Sequence, residues 1–305
     1  WPVHVGRKVA VRLVVEQRPV APHQRHAARE GARGDRRLEQ YEQALLGVAR
    51  GHAGELARAP RSLLCPAAMH EATPLEAARR RLIVALDVPD ASAALAAAHR
   101  LAGHVGMLKV GLELFVAEGP EVVRQLRRAL PQLEIFLDLK LHDIPNTMVG
   151  AIRSARALGA RFITVHAGSG VAHLRACVDA AGPELGVLAV TVLTSQDATA
   201  CAEAGHTRSP AEIVALRAAA AHAAGCAGLV CSGQELARVR EAAPGLAFVV
   251  PGIRPAGGEL GDQKRVMTPR EAIAAGASYL VVGRPILGAA DPAAAADAIT
   301  AEIAG

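Results

Sequence analysis

Long apolar runs, paired cysteines and lysine are all scarce in this sequence, and each scarcity narrows what the chain can be. No stretch of about 18 or more consecutive apolar residues occurs, so nothing reads as a membrane-spanning helix. The basic opening segment lacks the short apolar core and small-residue cleavage site of a secretory signal, and the expected compartment is the cytosol. Five cysteines, at 65, 177, 201, 226 and 231, form no C-x-x-C pair. Their odd number argues against a closed disulfide framework and for small buried hydrophobes in a reducing compartment. A glycine-rich G-x-G-x-x-G turn is also missing: the first strand-like run ends in ALDVPD, which removes the main argument for a dinucleotide fold. Lysine occurs only four times, at 8, 109, 140 and 264, against 30 arginines.

What is present is a chain of 305 residues with 51% hydrophobic content, enough to bury a substantial core. The net charge of +5 is unevenly placed. Residues 1–68 hold 12 Lys+Arg against 6 Asp+Glu, which leaves the remainder near neutral. That front begins with Trp1, has no methionine before Met69, and is dominated by Arg, Ala, Gly, His and Pro without sustained periodicity. Residues 1–70 therefore read as a basic low-complexity extension, disordered or non-native, ahead of a catalytic domain over 71–305. A basic arm for an acidic partner and upstream sequence ahead of the true start are both open; the second is favoured, with the native chain expected to begin at Met69.

From Leu82 onward, short β-branched apolar runs alternate with alanine-rich helical segments. Eight runs are counted: LIVALDV (82–88), MLKVGLE (107–113), IFLDLKL (135–141), FITVHA (162–167), VLAVTVL (187–193), GLVCS (228–232), AFVVPGI (247–253) and YLVVGRP (279–285). Nearly continuous apolar strands imply a parallel sheet covered on both faces. Between them, Gly119-Pro120, Ser209 with Glu212, Ser232 with Glu235, Thr268 with Glu271, and Asp291-Pro292 mark helix starts, each expected to carry a cap. Eight such units predict a closed (β/α)8 TIM barrel in a single domain rather than an open doubly wound sheet.

In such a barrel chemistry belongs at the C-terminal strand ends and the loops after them. Asp87, Lys109, Asp138, Lys140, His166, Thr194, Ser195, Arg254 and Arg284 all fall there. The most informative string is DLKLHDIPNT, from Asp138 to Thr147. Period-two alternation places Asp138 and Lys140 on one face and Leu139 and Leu141 on the other, with Asp143 following as the strand gives way to its loop. A buried ion pair in a polar barrel layer is the bland alternative. Where nearly every positive charge is arginine, however, a strand-end lysine is wanted as lysine, because an ammonium can give up a proton and a guanidinium effectively cannot. Lys140 is thus the candidate acid. PGIR (251–254) and GRPI (283–286) follow the seventh and eighth runs, where such barrels often hold a phosphate. Glycine there lets backbone N–H groups approach an anion, and Arg254 and Arg284 offer planar forks to its oxygens. The loop over 252–267 is long for a compact barrel and reads as a lid or a disordered segment. Gln263 within it reads from the residues alone as a solvated side chain that meets a ligand only on closure.

At these residues the chain resembles orotidine 5′-phosphate decarboxylase over about residues 80–290, through LDLKLHDIPNT, VTVLTS, PGIRP, DQKRV with the following TP, and VVGRPI. The resemblance implies decarboxylation of orotidine 5′-phosphate to uridine 5′-phosphate with no cofactor and no metal. It implies that Asp87 and Lys109 hold ribose hydroxyls and extend a charged network, and that Asp138, Lys140 and Asp143 form an array around the scissile carboxylate. It further implies a homodimer in which Asp143 and Thr147 cross the interface. Thr194 or Ser195 would contact the pyrimidine, Gln263 would bridge base and phosphate, and Arg254, Gly283 and Arg284 would clamp the phosphate. Three rivals remain at this point. They are a metal-dependent sugar-phosphate decarboxylase or aldolase of the same barrel group, a noncatalytic nucleotide sensor, and a nucleic-acid-binding role for the basic front.

Overall fold

The computed structural model describes residues 72–255 and 266–305. The readings made for the 1–70 extension, Met69 included, and for Gln263 lie outside the described residues.

Eight strands run β1 Leu82–Ala85, β2 Met107–Gly111, β3 Glu134–Leu141, β4 Phe162–His166, β5 Gly186–Val190, β6 Gly228–Val230, β7 Ala247–Val250 and β8 Tyr279–Val282. They close in sequence order into a barrel in which every neighbouring pair, β8 against β1 included, is parallel. The described helices are α1 Pro74–Arg80, α2 Ala91–Leu101, α3 Leu112–Glu118, α4 Glu121–Ala129, α5 Pro145–Ala157 and α6 Val171–Ala181, then α7 Ala198–Glu203, α8 Pro210–Ala224, α9 Leu236–Ala242, α10 Pro269–Ala274, α11 Arg284–Leu287 and α12 Pro292–Ala304. Among the described residues no helix is long and apolar enough to cross a membrane.

The strands are apolar on both faces because each face has its own core. Inside the barrel, Ile83, Ala85, Met107, Phe136, Phe162, Leu188, Val249 and Val281 pack together. Their alternate neighbours, among them Val84, Leu108, Leu137, Ile163 and Val282, pack outward against the helices. Three of the chain's few aromatic rings fill the interior: Phe162 meets Phe136 edge-on at 6.3 Å and Tyr279 at 5.5 Å between centroids. Gly186 makes room for them, since a Cβ there would lie 2.5 Å from the Phe162 ring.

Helix starts follow the expected side-chain caps at most places. Thr268 and Glu271 form a reciprocal capping box ahead of α10, and Ser209 with Glu212 does so ahead of α8. Ser232 and Glu235 form one on a single 3-10 turn, and Asp291 accepts from two N–H groups of α12. The start at Pro120 is a correction: α4 has no side-chain cap, because proline offers no acceptor beyond its backbone. The strands are also shorter than the runs that mark them. Pairing stops at Gly111, and Leu112 and Glu113 open α3 instead; likewise Arg284 opens α11. Apolar character continues past the last ladder bond because chain leaving the barrel still packs under a helix, as fully buried Leu86 does.

Packing is close between β6 and β7, where a methyl group at Gly228 would overlap the backbone carbonyl of Ala247 rather than a movable side chain. Gly228→Ala is expected to lower stability by about 1–3 kcal/mol, seen as a lower urea midpoint; an unchanged midpoint would show that the β6–β7 contact can relax.

Candidate active site

The interior face of β2, β3 and β4 changes from apolar to polar as the strands near the C-terminal mouth. Two residues beyond the buried Met107 comes Lys109, beyond Phe136 comes Asp138, and beyond Phe162 comes Thr164. Asp87 lies just past β1 and completes the layer.

Three of these side chains, with Lys140, form a line of alternating charge. Lys109 Nζ donates to Asp87 Oδ1 at 3.1 Å and stands 3.5 Å from Asp138 Oδ2. Lys140 Nζ donates to the same Asp138 Oδ2 at 2.8 Å. The inner pair is nearly enclosed, with side-chain exposure of 10% for Lys109 and 13% for Asp138, while the ends open to the mouth at 57% for Asp87 and 31% for Lys140. Burial opposes ionisation of Asp138, but Lys109, Lys140 and the hydrogen bonds from Lys140 and Thr164 outweigh it and hold the carboxyl below its ordinary value. Asp138 is thus a fixed negative charge gripped by two ammoniums.

The expected alternation along β3 gives the right sidedness by a different route. Leu139 and Leu141 do pack against the outer core. Yet the β3–β4 register shifts between Leu137 and Leu141, and Lys140 adopts a left-handed backbone, φ 47°, the one described non-glycine residue with positive φ. Such a conformation costs on the order of 1–3 kcal/mol and persists where surroundings enforce it, most often at functional sites. Here the Lys140 N–H donates to Thr164 Oγ1 at 2.8 Å, and that hydroxyl donates to Asp138 Oδ1 at 3.0 Å. Thr164 was not singled out from the sequence. Its signal was period two on β4, which places it on the interior face between Phe162 and His166. Gly111 was missed too: a Cβ there would lie 2.9 Å from Lys109 Nζ and 3.2 Å from Asp87 Oδ1, so only glycine leaves that ion pair undisturbed.

Asp143 does not join the array within one chain. It is exposed, and its Oδ1 accepts from the N–H of Ile144 at 2.6 Å. Thr147, on the first turn of α5, is exposed beside it, and the intervening Ile144 is 67% exposed, unusual for a large apolar side chain.

Around the mouth, His142 and His166 face each other at 5.6 Å between rings. Burial, then the nearby His142, Arg217 and Lys140 charges, hold His166 below the usual imidazole value. Thr194 and Ser195 occupy the turn after β5, half-buried and exposed respectively. At the β7–β8 side, Arg254 and Arg284 sit close enough that burial and the second guanidinium both lower the Arg254 pKa. Two guanidiniums held this close together favour an anion beside them. Gly283 lies against this corner, its missing side chain 3.8 Å from Asp87 Oδ2. The 252–267 loop is tied at its base, where Ile253 bridges Met267 and the Arg254 N–H donates to Met267 O at 3.0 Å. The mouth therefore offers an anion corner at β7–β8 and, across it, an ammonium on strained backbone beside a fixed carboxylate. Among the described residues no group of three or more His, Cys, Asp or Glu is arranged to hold a metal ion.

The chain is similar to known proteins over most of its length. The model of the orotidine 5′-phosphate decarboxylase / HUMPS family matches residues 80–299. The orotidine 5′-phosphate decarboxylase of Anaeromyxobacter dehalogenans is 55% identical over 222 residues, covering 72% of this chain and 97% of the relative. That of Rhodopseudomonas palustris strain BisB5 is 51% identical over 238 residues, covering 77% and 99%. Among solved structures, orotidine 5′-phosphate decarboxylase from Lactobacillus acidophilus matches with a TM-score of 0.65 at 36% identity, over 73% of this chain and 99% of that one.

The depressed Asp138 pKa carries a linkage consequence. A carboxyl whose pKa is lower folded than unfolded contributes stability that is complete above the unfolded value, about 3.9, and is lost as pH falls through the folded value. Asp138 is therefore expected to remain ionised below the ordinary carboxylate range, read from its side-chain carbon shift in an NMR titration. A midpoint at or above about 4 would mean that burial outweighs the two lysines.

Proposed function

This chain belongs to the orotidine 5′-phosphate decarboxylase / HUMPS family, and we propose that its alternating Asp87–Lys109–Asp138–Lys140 line is the machinery of the reaction. It decarboxylates orotidine 5′-phosphate to uridine 5′-phosphate, a step of pyrimidine nucleotide synthesis. The observation that carries the assignment is the shared Asp138 Oδ2, which Lys140 reaches at 2.8 Å and Lys109 approaches to 3.5 Å.

Breaking the bond between the pyrimidine C6 and its carboxylate leaves the electron pair on C6, where no neighbouring carbonyl delocalises it well. Stabilisation must then be electrostatic. Two unit charges about 4 Å apart interact by about 4 kcal/mol at an effective dielectric near 20, so a fixed ammonium favours the carbanion over the neutral ring. Lys140 takes that role. Asp138 disfavours the substrate carboxylate beside it and holds the Lys140 ammonium in place through the 2.8 Å hydrogen bond. CO2 leaves, Lys140 Nζ delivers a proton to C6, and water restores the ammonium. Lys109 and Asp87 anchor the other end of the line and face the ribose hydroxyls.

Arg254, Arg284 and the Gly283 backbone take the phosphate, each charged hydrogen bond contributing about 1.5–3 kcal/mol. That phosphate lies remote from the breaking bond, so its binding energy is available to close the site and exclude water. Thr194 or Ser195 contacts the pyrimidine, and Gln263 is assigned to the base and phosphate from above.

The functional unit proposed is a homodimer that operates in the cytosol, in which each subunit supplies Asp143 and Thr147 to its neighbour's array. Support comes from the exposure of Asp143, Ile144 and Thr147 together, and from Leu112 and Val116 of α3, 51% and 79% exposed. The sugar-phosphate branch is disfavoured by about 50% identity to relatives named as the nucleotide decarboxylase. Retention of the whole charge line disfavours a noncatalytic sensor.

Loss of orotidine 5′-phosphate absorbance is expected to proceed in EDTA with the parent chain and to fall by about a thousandfold or more in Lys140→Ala. Turnover abolished by EDTA would return the chemistry to a metal-dependent reaction. Mixing Lys140→Ala with Asp143→Ala, each nearly inactive alone, is expected to restore about a quarter of parent activity as mixed dimers regain one intact site. No recovery after subunit exchange would place Asp143 in its own subunit's site or outside the chemistry.

A further inference from the structure

We infer that Thr164 is a positioning residue for the decarboxylation, its hydroxyl holding both the Lys140 backbone and the Asp138 carboxylate in their working orientations; the inference rests on the reaction proposed above. Thr164 is fully buried on β4, one strand away from the pair it serves. Its Oγ1 accepts the Lys140 N–H at 2.8 Å and donates to Asp138 Oδ1 at 3.0 Å. A hydroxyl has one hydrogen, and an ionised carboxylate only accepts, so the direction of both bonds is forced. The hydrogen points to Asp138, and a lone pair receives the peptide N–H.

Two consequences follow for the charged line. The β3–β4 register shift takes the Lys140 N–H out of the regular ladder, and the Thr164 hydroxyl stands where a strand carbonyl otherwise would. A buried N–H left unpaired is costly, so this bond is what lets Lys140 remain at φ 47° with its side chain turned toward the mouth. Second, occupying Asp138 Oδ1 leaves Oδ2 as the oxygen that faces Lys140 and Lys109. One rotor thus aligns the acid and the carboxylate beside it, while touching neither substrate nor ammonium.

The groups that face Asp138 are Lys109 from β2, Lys140 from β3, Thr164 and His166 from β4, and Asp87 beyond Lys109 from β1. Removing the Thr164 hydroxyl takes away one hydrogen bond to the ionised form without altering any of those charges. The acid limb of turnover should then move to higher pH, which a merely structural role would not produce.

Thr164→Val keeps the branched shape and removes both bonds. Its kcat for orotidine 5′-phosphate is expected to fall by about 10- to 100-fold, with KM little changed and the acid limb displaced upward. Thr164→Ser, which keeps the hydroxyl, is expected to recover most of the activity. Crystals of the valine variant should show Lys140 relaxed to negative φ. Circular dichroism checks folding, and Thr164→Ala carries the same test if the valine variant does not fold. Parent-like kcat and pH profile in the hydroxyl-free variant would overturn the inference, as would equal losses in the serine and valine variants. A parent chain inactive on orotidine 5′-phosphate would sink the proposed reaction instead, and the Lys140 backbone in the valine variant would still decide what Thr164 does.

Discussion

One carboxylate oxygen organises the mouth of this barrel: Asp138 Oδ2, against which two ammoniums converge. A charge taken this far from water needs compensation, and breaking a buried pair by removing one partner costs about 3–5 kcal/mol. Lys109 supplies that compensation from the next strand and is itself balanced by Asp87. Because Asp87 and Lys109 satisfy each other on one side of Asp138, Lys140 on the other side is held by Asp138 without being consumed by it. Arginine in its place would give the same charge in a flat, wide fork that cannot release a proton. The scarcity of lysine in this chain, and its appearance twice on this line, fit that chemical demand.

The fold supports this line by sharply separating an apolar interior from a polar rim. Phe136, Phe162 and Tyr279 close the barrel beneath the charges with large rings rather than water. A low-dielectric floor strengthens every electrostatic contact above it. Parallel strands deliver their C-terminal ends to one rim, so residues far apart in sequence, from Asp87 to Arg284, meet there without any one loop having to carry the site. The space is also shaped by an absence: glycine at 111 leaves Lys109 and Asp87 undisturbed.

Much of this was legible in the residues, and the parts that were not share a cause. The eight apolar runs and the Ser209, Thr268 and Asp291 caps depend on local chemistry, which the one-dimensional pattern records directly. Asp138 and Lys140 stood out because charges inside an apolar strand demand explanation. Thr164 did not, because a threonine in such a strand reads as another β-branched residue until its partners on β3 are known. Strand ends were overrun at Leu112 and Arg284 because apolar packing continues under the helices after pairing has stopped. The left-handed backbone of Lys140 has no sequence signature at all: lysine does not favour it, and only the β3–β4 register shift and the Thr164 hydroxyl account for it.

These exceptions cluster, and the clustering is itself informative. Lys140 on strained backbone, a shifted register beside it, an exposed Ile144 and an Asp143 turned back on its own chain all fall within a few residues of one strand end. Elsewhere local propensity, capping and burial agree, so the rest of the barrel has little reason to distort. A sequence whose levels agree nearly everywhere and conflict in one place is expected to be using that place. Strain at Lys140 is tolerable because the surrounding barrel holds it, and a lysine that relaxed into a regular strand would lose its alignment with Asp138. The exposed 143–147 segment falls under the same reasoning: it places an acid and a large apolar side chain in solvent beside the strained strand end, where burial alone would not put an apolar group.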